Sequence, residues 1–286
     1  IIVPRNVHKS IMSAIVFAGA IPIFIHPEVD SDLGISHGIS PESVEKALLD
    51  YPDAKAVLVI NPTYFGFVAD LQKIVQIVHN HNIPVIVDEA HGVHIKFHDD
   101  LPLSAMQAGA DMAATSVHKL GGSMTGSSVL NVKEGLISAK RVQSVLSMLT
   151  TTSTSYPLLA SLDTARRQLA INGYDLLHEA IRLAKDTRKR INSIPHLSCV
   201  GREKLGSSAT FDMDPTKLLI SVKDLGITGH EAEEWLRQNA NLEVELSDLY
   251  NILCIVTIAD TKKEMNLLVN ALTRLSNHFD SEAAVT

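Results

Sequence analysis

Cysteine, tryptophan and contiguous charge are all scarce in this sequence. Cys199 and Cys254 are the two cysteines among 286 residues, there is one tryptophan, and aromatics make up 5%. Two cysteines without a C-x-x-C pair build neither a disulfide framework nor a thiolate zinc site, and they fit a reducing compartment. Basic residues are also in deficit, with 25 Lys and Arg against 32 Asp and Glu for a net charge of −7. A phosphate-backbone binder normally carries the opposite sign, so nucleic acid is not an expected partner. There is no internal repeat, low-complexity tract or block of like charge. No apolar run reaches the roughly 20 residues that cross a bilayer. The nearest approach, Ile11 to Ile25, follows Arg5 and Lys9 and contains Ala18-Gly19-Ala20, a small-residue run of the kind found at signal-peptidase sites. Pro22 interrupts it, and Ile21 to Ile25 reads as a buried strand after a short helix and a glycine turn. A soluble, cytoplasmic protein with no membrane partner is the expectation.

What is present is a core. Hydrophobic residues at 45% and charged residues at 20% exclude disorder, and the length suits one large domain or two smaller ones. Apolar runs alternate with helical periodicity along the first half, the pattern of strand, crossover helix and strand in a mainly parallel sheet flanked by helices. Ser40-Pro41-Glu42 supplies an N-cap and a first-turn proline for a helix to about Leu49. Ala54 to Ile60 is a continuous apolar strand. Asp70 caps a helix whose Leu71, Ile74, Val75 and Val78 share one face. Pro84 to Val87 forms the next strand, followed by a short helix over 102–108 and strands at 112–116 and 127–132. From Gly135 to about Ile194 the chain reads as mostly helical, broken by Thr150 to Ser155 and by Asn172-Gly173. A strand at 217–222, a helix at 229–238 capped by Thr228, a strand at 253–258 and a helix at 262–275 read as a smaller α/β domain. The division is placed as 1–180 and 181–286, with any hinge in the helical connection between Gly173 and Ile194.

In open parallel sheets, ligands sit beyond the carboxyl ends of the strands. Three segments lie there: Asn61-Pro62-Thr63-Tyr64, Asp88-Glu89-Ala90-His91-Gly92 and Ser116-Val117-His118-Lys119, and all three are expected to face one crevice. A strand-end lysine beside a serine and a histidine, with an aspartate at another strand end, suits pyridoxal phosphate chemistry. Lys119 supplies the amine for the Schiff base, which requires it to lose its proton in a partly desolvated site. Asp88 holds a pyridine nitrogen protonated, Ser116 donates to a phosphate, and Ala90 is small enough to admit a flat ring. A lone strand-end Lys or Asp is more often a solvated or turn residue. It is their combination, with Asp88 28 residues before Ser116, that carries the reading.

Two rivals are weaker. Asp88 to His91 spells DEAH, the nucleotide box of a helicase class, but that box needs a phosphate loop, and no G-x-x-x-x-G-K-[ST] occurs. His91, His94 and His98 have metal-ligand residue types, yet thirteen histidines are spread along the chain. They read as surface or pocket histidines, and no metal is expected.

Arg5-Asn6-Val7-His8-Lys9-Ser10, the Asp88 and Ser116 segments, and Thr152-Ser153-Thr154-Ser155-Tyr156 occur in an order that resembles the Orn/Lys/Arg decarboxylases of shorter, arginine or lysine type. The likeness continues through Gly229 to Glu233 and Glu243 to Asn251. It implies the pyridoxal-phosphate-dependent transferase-like fold and decarboxylation of arginine, lysine or ornithine to an amine, as in polyamine biosynthesis. It also implies that Lys119, Asp88 and His118 are catalytic, that His8 stacks on the cofactor ring, and that His118 helps bind cofactor or move a proton. Ser116 is implied as a phosphate ligand. Thr152 and Ser153 resemble a segment that reaches a neighbouring subunit's site, which implies a homodimer at least; otherwise they cap the helix before Tyr156. A carboxylate near Glu243 to Asp248, with Glu245 and Asp248 as candidates, is positioned to take a substrate's distal cation, or is simply solvated. Family members carry an upstream Gly/Ser/Thr turn that holds the phosphate at a helix N-terminus. Ile1-Ile2-Val3-Pro4 reads as a strand end, so a truncated large domain is expected. Two alternatives remain at this point: an aminotransferase or lyase, with Arg237 or Arg274 as carboxylate clamps, and a silent pyridoxal-fold protein.

Overall fold

The strand-and-helix alternation of the first half produces a six-stranded sheet. The structure, a computed structural model, describes residues 1–283. In chain order the strands of this sheet are β1 (Ile2–Pro4), β2 (Ile23–Ile25), β3 (Val57–Ile60), β4 (Val85–Asp88), β5 (Met112–Ser116) and β6 (Ser128–Val132). Their spatial order is β2-β1-β3-β4-β5-β6. All neighbours are parallel except β5 and β6, which are antiparallel. The mainly parallel, helix-flanked sheet expected from the sequence is therefore the observed architecture.

The helices of this part are α1 (Lys9–Ala18), α2 (Pro41–Asp50), α3 (Leu71–Asn80), α4 (Val117–Leu120), α5 (Ala139–Leu149) and the first half of α6 (Tyr156–Ile191). Ser40 caps α2 and Asp70 caps α3, each accepting a backbone N–H three residues on. Val44, Leu48, Ile74 and Val78 pack with Val57, Val59, Val85 and Val87 in one core layer. Val3, Leu58 and the half-buried Ile86, which point to the other face of the sheet, pack with Ile15 of α1. Successive strand residues alternate faces, so Asp88 follows Ile86 onto the α1 side while Glu89 follows Val85 and Val87 to the other.

The chain divides into two compact units. One comprises 1–29, 36–173 and 205–213; the other comprises 30–35, 174–204 and 214 onward. In the second, β7 (Ser198–Cys199), β8 (Lys217–Ser221), β9 (Leu246–Ser247) and β10 (Asn251–Ile255) form an antiparallel sheet in the order β7-β8-β10-β9. Helices α7 (Gly229–Ala240) and α8 (Lys262–Ala283) complete it. Thr228 caps α7 in a full capping box with Glu231. Cys199 and Cys254 are buried and free, and burial pushes both thiols up to about 12, which leaves them unreactive. The sequence-based division at 180 and the changeover between Gly173 and Tyr174 both fall inside α6.

Three local expectations are corrected. Asn172-Gly173 does not interrupt helix α6, which runs through both. A side chain at Gly173 would put its Cβ 3.3 Å from Phe97 Cβ, so the glycine marks a close approach and not a break. Residues 102–108 form turns closed by Ala108 N–H to Ser104 O and do not form a helix. Ile21 is not part of a buried strand: it is 81% exposed, because β2 lies at the edge of the sheet. Among the described residues, no helix is long and apolar enough to cross a membrane.

Candidate active site

The carboxyl ends of β3, β4 and β5 lie side by side. Ile60 pairs with Asp88, Asp88 pairs with Ala114, and the Asn61 N–H donates to Asp88 O at 3.0 Å. The pleat then places Asp88, Ala114 and Ser116 on one face. That face is open, since Ala114 is exposed in mid-strand and Asp88 and Ser116 are half-buried. Asp88 Oδ1 accepts the Ala90 N–H at 3.1 Å, which turns the chain sharply after β4 and sets the half-buried Ala90 beside the carboxylate.

Lys119 sits in the single turn of α4, immediately beyond β5. Its Nζ lies 3.0 Å from Nε2 of the buried His91. The His91 ring in turn packs on Tyr64, with centroids 4.4 Å apart. These contacts bring the three strand-end segments, 61–64, 88–92 and 116–119, together. His118 donates Nδ1–H to Ser127 O at 2.6 Å, which leaves Nε2 as the acceptor nitrogen. Ser116 occupies the position before α4 without using its hydroxyl as a cap.

His8 is exposed after β1, where its Nδ1 accepts the Ser10 N–H at 3.3 Å as the N-cap of α1. Thr152 and Ser153 are exposed between α5 and α6, and the Ser153 N–H donates to Thr151 Oγ1 at 3.1 Å. Glu245 and Asp248 belong to the second unit. Glu245 is exposed, while Asp248 is half-buried and its Oδ1 accepts the N–H groups of Tyr250 and Asn251 at 2.9 and 2.8 Å. Arg237 is engaged with Glu233 and Glu243 on the surface of that unit.

Two residues gain importance only from the structure. His91, read as one of a row of ordinary histidines, is the partner of Lys119. His94 and His98 of that row are buried as well, and no cluster of metal-ligating type occurs among the described residues. Glu89 is 4% exposed, with Oε1 accepting the Ala105 N–H at 2.6 Å and Oε2 the Thr115 hydroxyl at 3.2 Å. Burial drives its carboxyl up from 4.5 to about 7, against the lowering effect of those hydrogen bonds. Alternation along Val85, Val87 and Glu89 was the available signal that this acid points into the core side.

Residues 1–264 match the family model described as Orn/Lys/Arg decarboxylase, major domain. An arginine decarboxylase of Bacillus anthracis is 67% identical over 283 residues, which cover 99% of this chain and 57% of that protein. An arginine decarboxylase of Bacillus subtilis is 65% identical over 286 residues, covering 100% of this chain and 58% of that protein. The chain thus spans little more than half the length of these relatives. Among solved structures, the lysine decarboxylase of Francisella novicida superposes with a TM-score of 0.84 at 22% identity, over 98% of this chain and 45% of that one, a likeness of fold.

Proposed function

The chain belongs to the Orn/Lys/Arg decarboxylase family, and from that premise we propose that it carries the pyridoxal-phosphate site of a decarboxylase that converts a basic amino acid to CO2 and the corresponding amine. The 65% and 67% identity to proteins named arginine decarboxylase favours arginine over lysine and ornithine. The observation that carries the reading is that Asp88 and Ser116 end adjacent strands on one open face, with Lys119 in the single turn just beyond β5 and its Nζ 3.0 Å from His91 of the turn that follows Asp88. This donor set fits pyridoxal phosphate.

When bound, that group supplies an aldehyde for an amine and a cationic ring that accepts the electron pair left at Cα. Lys119 would hold the aldehyde carbon and Asp88 the protonated ring nitrogen. Ser116 would hold the phosphate, and Ala90 leaves room for the flat ring. His118, with Nδ1–H fixed on Ser127 O, keeps Nε2 available to hold or move a proton at Cα. His8 would stack on the ring through its exposed imidazole face, which its in-plane capping bond at Nδ1 leaves uncovered. Glu245 and Asp248 remain the candidates for a substrate's distal cation.

We assign Thr152 and Ser153 to contact with a second copy of the chain. They directly follow α5, whose Val145, Leu146, Met148 and Leu149 are 42% to 80% exposed, a face suited to burial in a homodimer. The two free, buried thiols are in keeping with a cytoplasmic location. Product analysis with arginine, lysine and ornithine tests the reaction. CO2 with agmatine from arginine supports the reading, whereas a keto acid as product overturns it.

A further inference from the structure

Behind the strand ends, on the face away from Asp88, the first unit holds a cavity of about 680 Å3. Its size and largely apolar walls, which include Val93, Phe97, Met106, Leu159 and Leu162, are those of a small-molecule site. Glu89, Thr115 and Asn131 are the polar groups at its sheet side. The cavity is built around the acid: a Cβ at Gly92 would fall 2.6 Å from Glu89 Cγ, so only glycine there leaves the carboxyl its place.

Glu89 is unusual in its partners. A buried acid is normally matched by a cation, yet the donors to Glu89 are a backbone N–H and a hydroxyl, both neutral. The charged and titratable groups around it are few. His94 and Lys96 from the segment after β4 act on it at a distance, and Asp163 and Arg166 of α6 line the cavity. Arg166 is already paired with Asp163 at 2.8 Å, and Lys96 lies over the Phe97 ring at 5.1 Å from its centroid.

We propose that this cavity is a second ligand site, separate from the Lys119 site, and that it takes a small organic amine: the ammonium group pairs with Glu89 while an apolar body lies against Phe97, Met106 and Leu162. A ligand there contacts Glu89, Thr115 and Val117, each the chain neighbour of a residue at the Lys119 site, and so touches β4 and β5 from behind.

The test uses the 286-residue chain with Lys119→Ala and no cofactor, so that failure of the decarboxylase reading leaves this measurement intact. Benzylamine and benzyl alcohol, which share a body and differ in charge, are titrated by calorimetry and by NMR. Benzylamine is expected to bind about tenfold or more tightly than the alcohol near pH 8. Its affinity is expected to fall about tenfold toward pH 6 as Glu89 takes up its proton, while the alcohol's stays level. Glu89→Gln should remove the preference for the amine and retain the alcohol, and Leu162→Trp, which fills the cavity, should remove both. Equal affinities in the Lys119→Ala chain, a preference that survives Glu89→Gln, binding undiminished in Leu162→Trp, or no saturable binding would each overturn the proposal.

Discussion

Lys119 Nζ lies 3.0 Å from His91 Nε2, although the two residues are 28 positions apart and on different strand-end turns. The contact ties the end of β5 to the end of β4, and the Tyr64 ring under His91 extends it to β3. Lys119 is therefore held at the strand edge by an aromatic base with restricted freedom.

Replacing Lys119 by Ala is expected to abolish covalent retention of pyridoxal phosphate. Added cofactor should give the wild-type chain a visible absorbance band, and borohydride should fix the label at Lys119. A band of equal intensity in Lys119→Ala would show that another amine carries the cofactor.

Asp88→Asn keeps the shape and removes the charge. The expected outcome is retained cofactor binding with decarboxylation slowed by about 10²-fold or more, the scale seen when an electrostatic contact made in the transition state is lost. Steady-state kinetics with arginine, beside the absorbance titration, separates this effect from simple loss of cofactor.

Glu89 makes stability depend on pH in the sense opposite to most carboxylates. Its carboxyl is raised in the folded chain from 4.5 to about 7, so between those values the folded state binds the proton that the unfolded state has lost. The neutral acid's contribution is full below about 4.5 and disappears as pH rises through about 7, a change of at most about 3 kcal/mol. Urea melts at about pH 5 and about pH 8 should show Glu89→Gln gaining stability relative to wild type at the higher value. A constant difference between the two proteins would rule out a raised carboxyl.

Gly229 opens α7 where a Cβ would fall 2.1 Å from Asn251 O and 2.4 Å from Asp248 O. Both are backbone atoms that cannot swing aside, so Gly229→Ala should destabilise the second unit by about 2 kcal/mol or more. Thr228→Ala, which removes only the cap, should cost about 1 kcal/mol. Thermal melts of the two variants check the order.

If α5 packs against a second copy, Leu146→Asp together with Leu149→Asp should lower the sedimentation mass from dimer to monomer while leaving the helical signal unchanged. A monomeric wild type would remove the basis for assigning Thr152 and Ser153 to a partner's site.

Much of this protein was determined within short stretches of sequence. Apolar runs such as Val57–Ile60 can only be covered strands, Asp70 and Thr228 cap helices through groups three residues away, and parallel strands oblige the Asp88 and Ser116 segments to emerge at one edge. Alternation along β4 sets Asp88 and Glu89 on opposite faces. Tertiary structure alone decided what meets across the chain. Gly173 lies within α6 where Phe97 approaches closely, His91 is a partner of Lys119 because sheet register and two turns converge, and Asp248 accepts the N–H groups of its own turn. Propensity and periodicity act over a few residues, whereas these contacts depend on the relative placement of strands and loops that no local pattern encodes.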